Sequence, residues 1–302
     1  MLNMNISVII VTFNPDINKL SSLLDFILFE NINIIIVDNN SKNSDEIREL
    51  LKKSSLIDVE VVGENKGIAY AQNLGIKIST NKNSDYVLFF DQDSSIDSNF
   101  ISNLYLEFID LKNKNINIAA IGPRFIDEKR KFYFPALKLN EYNLIEKINV
   151  ENITTPKEVS VLISSGSLVS IESLSKIGVM REEFFIDFVD TEWCFRALSK
   201  GYKIFVSSSA IMKHSIGDDT IEILTFKIPV HSGYRRYYRI RNLFFMWKMT
   251  YIPKRLTFKL MLSNFFHQIL LFVLKRNKLD YVKYYYKGVK DGIKHSKEIK
   301  FE

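Results

Sequence analysis

Residues 86–93, YVLFFDQD, carry an apolar strand straight into two carboxylates, Asp91 and Asp93. Val, Leu and Phe suit a buried strand, but ending it on two like charges gains nothing unless a cation or polar ligand lies between them. A metal-diphosphate site is the chemistry such a D-x-D can do, with ordinary turn chemistry as the plain alternative. A third carboxylate, Asp190, opens an expected helix at 190–200 that ends at Gly201. There it could simply cap the helix. His214 follows an apolar strand pattern, where a lone histidine is more often a packed or capping residue.

Such groups need a scaffold that brings distant segments together. Through the first 125 residues, strand-like apolar runs at 6–13, 32–38, 58–63, 86–90 and 118–122 alternate with helical patterns at 17–30, 44–54, 68–79 and 98–112. This alternation predicts an α/β fold, a Rossmann-like, mostly parallel sheet with helices on both faces. Ser44, followed by Asp45 and Glu46, reads as the capped start of the second helix. Residues 126–160 read as loop with short strands, and 161–171 as a strand broken by Ser164-Ser165-Gly166-Ser167. Ligands of open α/β sheets bind outside the carboxyl ends of the strands. The polar residues at those ends are Thr12, Asn14, Asp38, Asn39, Asn40, Glu64, Asn65, Asp91 and Asp93. One rim holding all of them suits a polar, diphosphate-bearing ligand.

With 302 residues, 46% hydrophobic and 13% aromatic, the chain can bury a large core and is not disordered. Its single cysteine, Cys194, excludes an intramolecular disulfide and fits a reducing compartment. Met1-Leu2-Asn3-Met4 leads into a strand pattern without a secretory signal, so the cytoplasm is expected. The net charge of +6 is unevenly spread. Residues 227–302 hold 18 Lys and Arg against 4 Asp and Glu, a net of +14 that leaves residues 1–226 at −8. Within that basic region, 260–274 is an uncharged stretch of 15 residues, LMLSNFFHQILLFVL, flanked by Lys254, Arg255, Lys259, Lys275, Arg276 and Lys278. A bilayer span takes about 20 apolar residues, so a helix lying in the membrane interface is expected, with packing on the body as the alternative. The run HSGYRRYYRIRN (231–242) interleaves arginine with tyrosine, a mixture that could bind single-stranded nucleic acid or form a solvated helix face.

Four segments, VIIVTFNP (8–15), IVDNNS (36–41), NKGIAYAQNLGI (65–76) and DQD (91–93), resemble in order and spacing the nucleotide-binding half of inverting family 2 glycosyltransferases with the GT-A fold. SSGSLV (164–169), FFIDFVDTEWCFRALSKGYKIFV (184–206) and KHSIGD (213–218) resemble that family's acceptor-side loop, catalytic-base helix and metal-binding histidine segment. The VDTEW and HSIGD forms are most similar to bacterial rhamnosyltransferases that use dTDP-rhamnose. The resemblance covers about residues 6–218.

What the resemblance implies can be stated residue by residue. Asp38 would accept the ring N–H of the pyrimidine, and Thr12, Asn14, Asn65, Gly67, Asn73 and Asp91 would complete the donor site. Gly67 would be required because the nucleoside approaches closely. Asp93, with Asp91 and His214, would hold Mg²⁺ or Mn²⁺. Asp190 would be the general base. Val189 stands where the family usually carries glutamate, so Glu192 and Asp187 remain alternative carboxylates. Ser165, Gly166, Glu192, Arg235 and Arg236 would contact the acceptor or a diphosphate.

The expected protein is a metal-dependent inverting glycosyltransferase with a GT-A domain at 1–226, made of a nucleotide-binding half (1–125) and an acceptor half (126–226). A basic helical extension follows at 227–302. It would move rhamnose from dTDP-rhamnose to a lipid-linked saccharide in O-antigen or related surface-polysaccharide assembly, bound peripherally to the anionic inner face of the cytoplasmic membrane. One alternative keeps the fold with a UDP-hexose donor. A non-enzymatic nucleic-acid-binding protein is the other, and it has no use for Asp91, Asp93, Asp190 and His214 at this spacing, so no nucleic-acid partner is expected.

Overall fold

The computed structural model describes residues 4–127, 131–213, 220–223, 226–229, 232–275 and 278–299. Its first part alternates β1 (Ile6–Thr12), α1 (Ile17–Phe29), β2 (Asn33–Asp38), α2 (Ser44–Glu49), β3 (Ile57–Val61), α3 (Ile68–Asn81), β4 (Tyr86–Asp91), β5 (Ser95–Ile96), α4 (Phe100–Asn113) and β6 (Ile118–Asp127). Short strands β7 (Phe132–Tyr133), β8 (Ala136–Leu139), β9 (Ile145–Ile148) and β10 (Lys157–Val159) lead to β11 (Leu168–Ser170), α5 (Ile171–Ile177), α6 (Val189–Ser199) and β12 (Lys203–Lys213). The hairpin β13 (Thr220–Ile223) and β14 (Phe226–Pro229) precedes three helices, α7 (Gly233–Lys248), α8 (Lys254–Leu274) and α9 (Lys278–Glu298).

The main sheet runs β10-β12-β6-β11-β4-β1-β2-β3. Pairing is parallel among β3, β2, β1 and β4 and between β6 and β12, while β11 lies antiparallel between β4 and β6. Side-chain parity explains the two faces. Val8, Ile10, Ile34, Ile36, Leu88 and Phe90 bury against α1 and α4, with Leu20, Leu24, Phe100 and Phe108. Their neighbours Ile9, Val87 and Phe89 point the other way, into a core shared with Trp193, Phe195, Leu243, Phe245 and Met246 of α6 and α7. α7 therefore closes the same core as the sheet rather than standing apart from it.

Local departures from the sequence reading have local causes. Asp16 caps α1, accepting from the Asn18 and Lys19 amides at 3.0 and 3.3 Å. The expected cap at Ser44 instead falls on Asn43, without a side-chain cap bond, and the expected 44–54 helix tightens into a 3₁₀ turn at Leu50–Lys53. Only Leu168–Ser170 of the expected 161–171 strand pairs in the sheet, because Gly166 turns the chain with φ +79°. The expected interfacial stretch is part of a 21-residue helix, α8, which is long and apolar enough to cross a membrane by length and composition.

Candidate active site

The strand order reverses at the β1–β4 pair, which opens a crevice at the carboxyl ends of the parallel strands. Register sets the rim, with Thr12 opposite Asp38 and Val11 opposite Asp91. Above it lies a cleft of about 1050 Å³, room for a nucleotide sugar and part of an acceptor. Phe13, Asn39, Asn65 and Gly67 wall one end, Asp91, Gln92 and Asp93 follow, and Ser164, Ser165, Asp190 and Thr191 line the middle. The far end is bounded by the 185–188 loop, by Tyr234, Arg235 and Arg239 of α7, and by Leu256, Lys259, Leu260 and Ser263 of α8.

Asp91 and Asp93 both face this space and are exposed. Their turn is built rather than loose. Ser165 Oγ accepts the Asp91 amide at 3.1 Å and pairs with Ser94 Oγ at 3.0 Å, while Gln92 Oε1 accepts the Phe13 amide at 2.7 Å. Hard oxygen donors of this kind suit Mg²⁺ or Mn²⁺ with diphosphate and water completing the shell. Among the described residues no group of three or more His, Cys, Asp or Glu could hold a metal. The expected ligand His214 lies outside the described residues.

Asp190 sits in the first turn of α6, whose N-cap is Phe188 in a left-handed conformation, so it is not the cap. Its Oδ1 accepts the Thr191 amide at 2.7 Å and its Oδ2 the Ser164 amide at 3.3 Å. Burial pushes its carboxyl above the ordinary aspartate range, against those hydrogen bonds and aided by nearby Asp187. A carboxylate with a raised pKa that still reaches the cleft is suited to accept a proton. Of the alternatives, Asp187 is held by Arg235 at 3.2 Å and Arg239 at 3.4 Å.

Glu192 is fully buried and does not line the cleft. Arg196 grips it at 2.8 and 3.0 Å, Tyr251 donates its hydroxyl to it, and Arg181 lies 3.5 Å away. Glu192 thus sits in a buried ion cluster, away from the cleft lining. Burial, with the Glu192 charge, raises the Tyr251 hydroxyl pKa and keeps it a donor. Cys194, two residues on, is likewise core, its thiol pushed up to about 12 by burial.

Several other expected site residues make contacts within the protein. Asp38 is completely buried beneath the rim, accepting from Thr12 Oγ1 at 2.9 Å, the Ser41 amide at 3.1 Å and the Ser41 hydroxyl. Neither it nor Thr12 lines the cleft. Asn14 ties two rim loops, donating its amide to Ser41 Oγ at 2.7 Å and accepting from Lys42 at 2.9 Å. Asn73 clamps the loop before α6, bonding both Met180 backbone groups and Glu182 at 2.9 Å. Gly67 is required (φ +86°) because a Cβ would lie 2.5 Å from the Phe185 carbonyl oxygen, so what approaches it is Phe185. A Cβ on Gly166 would meet Pro123 at 2.7 Å, and this glycine turns the chain outside the cleft. Arg236 is buried against α8, bonding Asn264 and Gln268, and only Arg235 and Arg239 of its helix's arginines reach the cleft. Sequence reasoning missed Phe13, half-exposed on the cleft wall, and Lys259 and Ser263, which reach it from α8. No local pattern marks them.

Residues 7–178 match the family described as glycosyl transferase family 2. The chain is 38% identical to the dTDP-rhamnosyl transferase RfbF of Shigella flexneri over 97% of both proteins. Among solved structures it resembles GalNAc-T7, crystallised with UDP, GalNAc and Mn²⁺, with a TM-score of 0.60 at 13% identity, covering 97% of this chain and 57% of that one. It also resembles residues 1–349 of S. aureus TarS, with a TM-score of 0.57 at 16% identity over 98% of this chain and 82% of that one. The last two likenesses concern the fold.

Proposed function

The chain belongs to glycosyl transferase family 2, and from that premise we propose that it transfers rhamnose from dTDP-rhamnose, with inversion, to a lipid-linked saccharide. The observation that carries this reading is the pairing, in one cleft, of the Asp91-Gln92-Asp93 turn with the raised-pKa carboxylate of Asp190. The working place is the inner face of the cytoplasmic membrane, in O-antigen or related polysaccharide assembly. Residues 1–226 form the catalytic domain, and α7 of the 227–302 region completes its acceptor side.

The nucleoside lies at the end walled by Phe13, Asn39 and Asn65, where an aromatic face and amide groups can take a pyrimidine. Asp91 and Asp93 would hold Mg²⁺ or Mn²⁺, with His214 as a further ligand. When bound, such an ion balances the negative charge that develops on the leaving diphosphate. Asp190 removes the proton from the acceptor hydroxyl as its oxygen attacks the sugar carbon from the face opposite the diphosphate. Asn242 positions this machinery, donating to the carbonyls of Phe184, Ile186 and Asp187 at 2.9 Å each. Arg235 and Arg239 hold Asp187 and present positive charge to the acceptor end.

The test is a donor screen that measures nucleoside diphosphate released from dTDP-rhamnose, UDP-glucose, UDP-galactose and UDP-N-acetylhexosamines, with Mn²⁺ or Mg²⁺. Release of dTDP above all others supports the reading. Preference for a UDP-hexose overturns the donor assignment.

A further inference from the structure

Helix α8 packs Leu256 and Leu271 inward together with polar side chains, and turns most of its remaining large apolar side chains outward. Thr257, Asn264 and Gln268 are buried, while Phe258, Leu262, Phe265, Phe266, Ile269 and Val273 are between 45% and 61% exposed. At 100° per residue these six fall within one stripe of about a third of the helix circumference, centred about 130° round from the polar stripe. A soluble surface helix has the reverse pattern.

Specific bonds fix this orientation. Arg236 of α7, itself 1% exposed, donates to Asn264 Oδ1 at 3.3 Å, to the Asn264 carbonyl at 3.1 Å and to Gln268 Oε1 at 3.4 Å. Turning the apolar stripe inward would strand a guanidinium in the interior. An apolar stripe of this length, held facing outward, requires an apolar partner.

Charge and position identify that partner. Lys254, Arg255 and Lys259 stand at one end of α8, and Lys275 and Lys278 at the other, with Lys278 Nζ 5.7 Å from the Phe272 ring centroid. Cations at both ends of an apolar stripe match a layer of anionic headgroups over acyl chains. Round the same helix, Leu256, Lys259, Leu260 and Ser263 line the acceptor end of the cleft.

We propose that the outward face of α8 is a docking surface for an anionic phospholipid bilayer, and that it sets the acceptor end of the cleft at headgroup level, within reach of a saccharide carried on a membrane lipid. The helix lies in the interface although it is long enough to cross a bilayer. Crossing would drag Arg236 and its bonded polar stripe into hydrocarbon. The lipid-bound acceptor rests on the function proposed above; the docking surface does not.

The test is co-sedimentation of the full chain with phosphatidylglycerol–phosphatidylcholine vesicles and with phosphatidylcholine vesicles, at low and high salt and without donor. The variant is Phe265→Ser/Phe266→Ser/Ile269→Ser, whose side chains are exposed and lie outside the cleft. Wild type should pellet with the anionic vesicles and be released as salt rises. The variant should lose about tenfold in vesicle binding, the direction expected when apolar area leaves the interface, while its circular dichroism and its donor hydrolysis stay at wild-type levels. Equal recovery of wild type and variant in the pellet, or of both in the supernatant with anionic vesicles at low salt, would overturn the proposal. So would gel filtration showing a dimer that the triple variant splits, which would identify a second copy as the occupant. Failure of the transferase reading would appear separately, as absent nucleotide release by a protein that still binds vesicles.

Discussion

Glu192→Gln removes one charge from a fully buried cluster and leaves its partners in place. Arg196 is about one-tenth exposed, and two of its bonds go to Glu192. The amide nitrogen of glutamine would turn a donor toward the Arg196 donors or toward Tyr251, so the charge of Arg196 is left partly uncompensated. Breaking a buried ion pair in this way costs about 3–5 kcal/mol. The Ile177 and Val179 carbonyls still accept from Arg196 at 3.0 and 2.8 Å, which places the expected loss near the lower limit, about 3 kcal/mol. At roughly 2 °C per kcal/mol for a chain of this size, the melting midpoint should fall by about 6 °C. Thermal unfolding followed by far-ultraviolet circular dichroism measures the shift, and nucleotide release assayed well below the transition measures the chemistry. Turnover should stay within a few-fold of wild type. An unchanged midpoint with lost turnover would show that Glu192 meets the reacting groups and that its ion cluster does not explain it.

Asp190→Asn should keep donor affinity and lose transfer by about 10² to 10⁴, the scale of general-base catalysis, as read by binding titration and single-turnover kinetics. The same variant carries a stability signature. The folded protein holds the Asp190 proton more tightly than the unfolded chain, so this group's contribution is fullest below about pH 3.9 and is lost as pH rises through the raised folded-state pKa. At neutral pH the ionised carboxylate opposes folding, and Asp190→Asn should melt no lower than wild type. The acid limb of the wild-type rate profile should lie above the ordinary aspartate range, and a limb at or below that range would contradict the assignment. Asp93→Ala, at an exposed residue, should abolish stimulation by Mn²⁺ or Mg²⁺ with an unchanged melting midpoint. Full activity of that variant in excess chelator would remove the metal site.

The parts of this protein legible in its sequence are those that local patterns encode. Apolar runs such as Ile34–Val37 and Val87–Phe90 form central strands, and the reversal of strand order puts Asp91, Asp93 and Asn65 at one cleft as expected. Polar residues at strand ends divided into two groups that sequence alone could not separate. Asp38, Thr12 and Asn14 serve the rim's own turns, and Asn14 and Asn40 take left-handed backbone that asparagine tolerates. The Glu192–Arg196 pair has legible i,i+4 spacing, but the Tyr251 hydroxyl that joins it comes from 59 residues on, and the clamp at Asn73 closes on a loop more than a hundred residues away. In α8 the uncharged stretch was legible but its orientation was not. Leu271 turns inward and Phe266 outward because Arg236, on another helix, chooses the face.

Inverting rhamnosyl transfer with Asp190 as base can be tested without knowing the acceptor. Slow hydrolysis of dTDP-rhamnose by the enzyme, followed by proton NMR in the first minutes before mutarotation, reports the anomeric configuration of the released sugar. Rhamnose of configuration opposite to that of the donor should form with wild type and with Glu192→Gln but not with Asp190→Asn. Release with retained configuration, or an active Asp190→Asn enzyme, would contradict it.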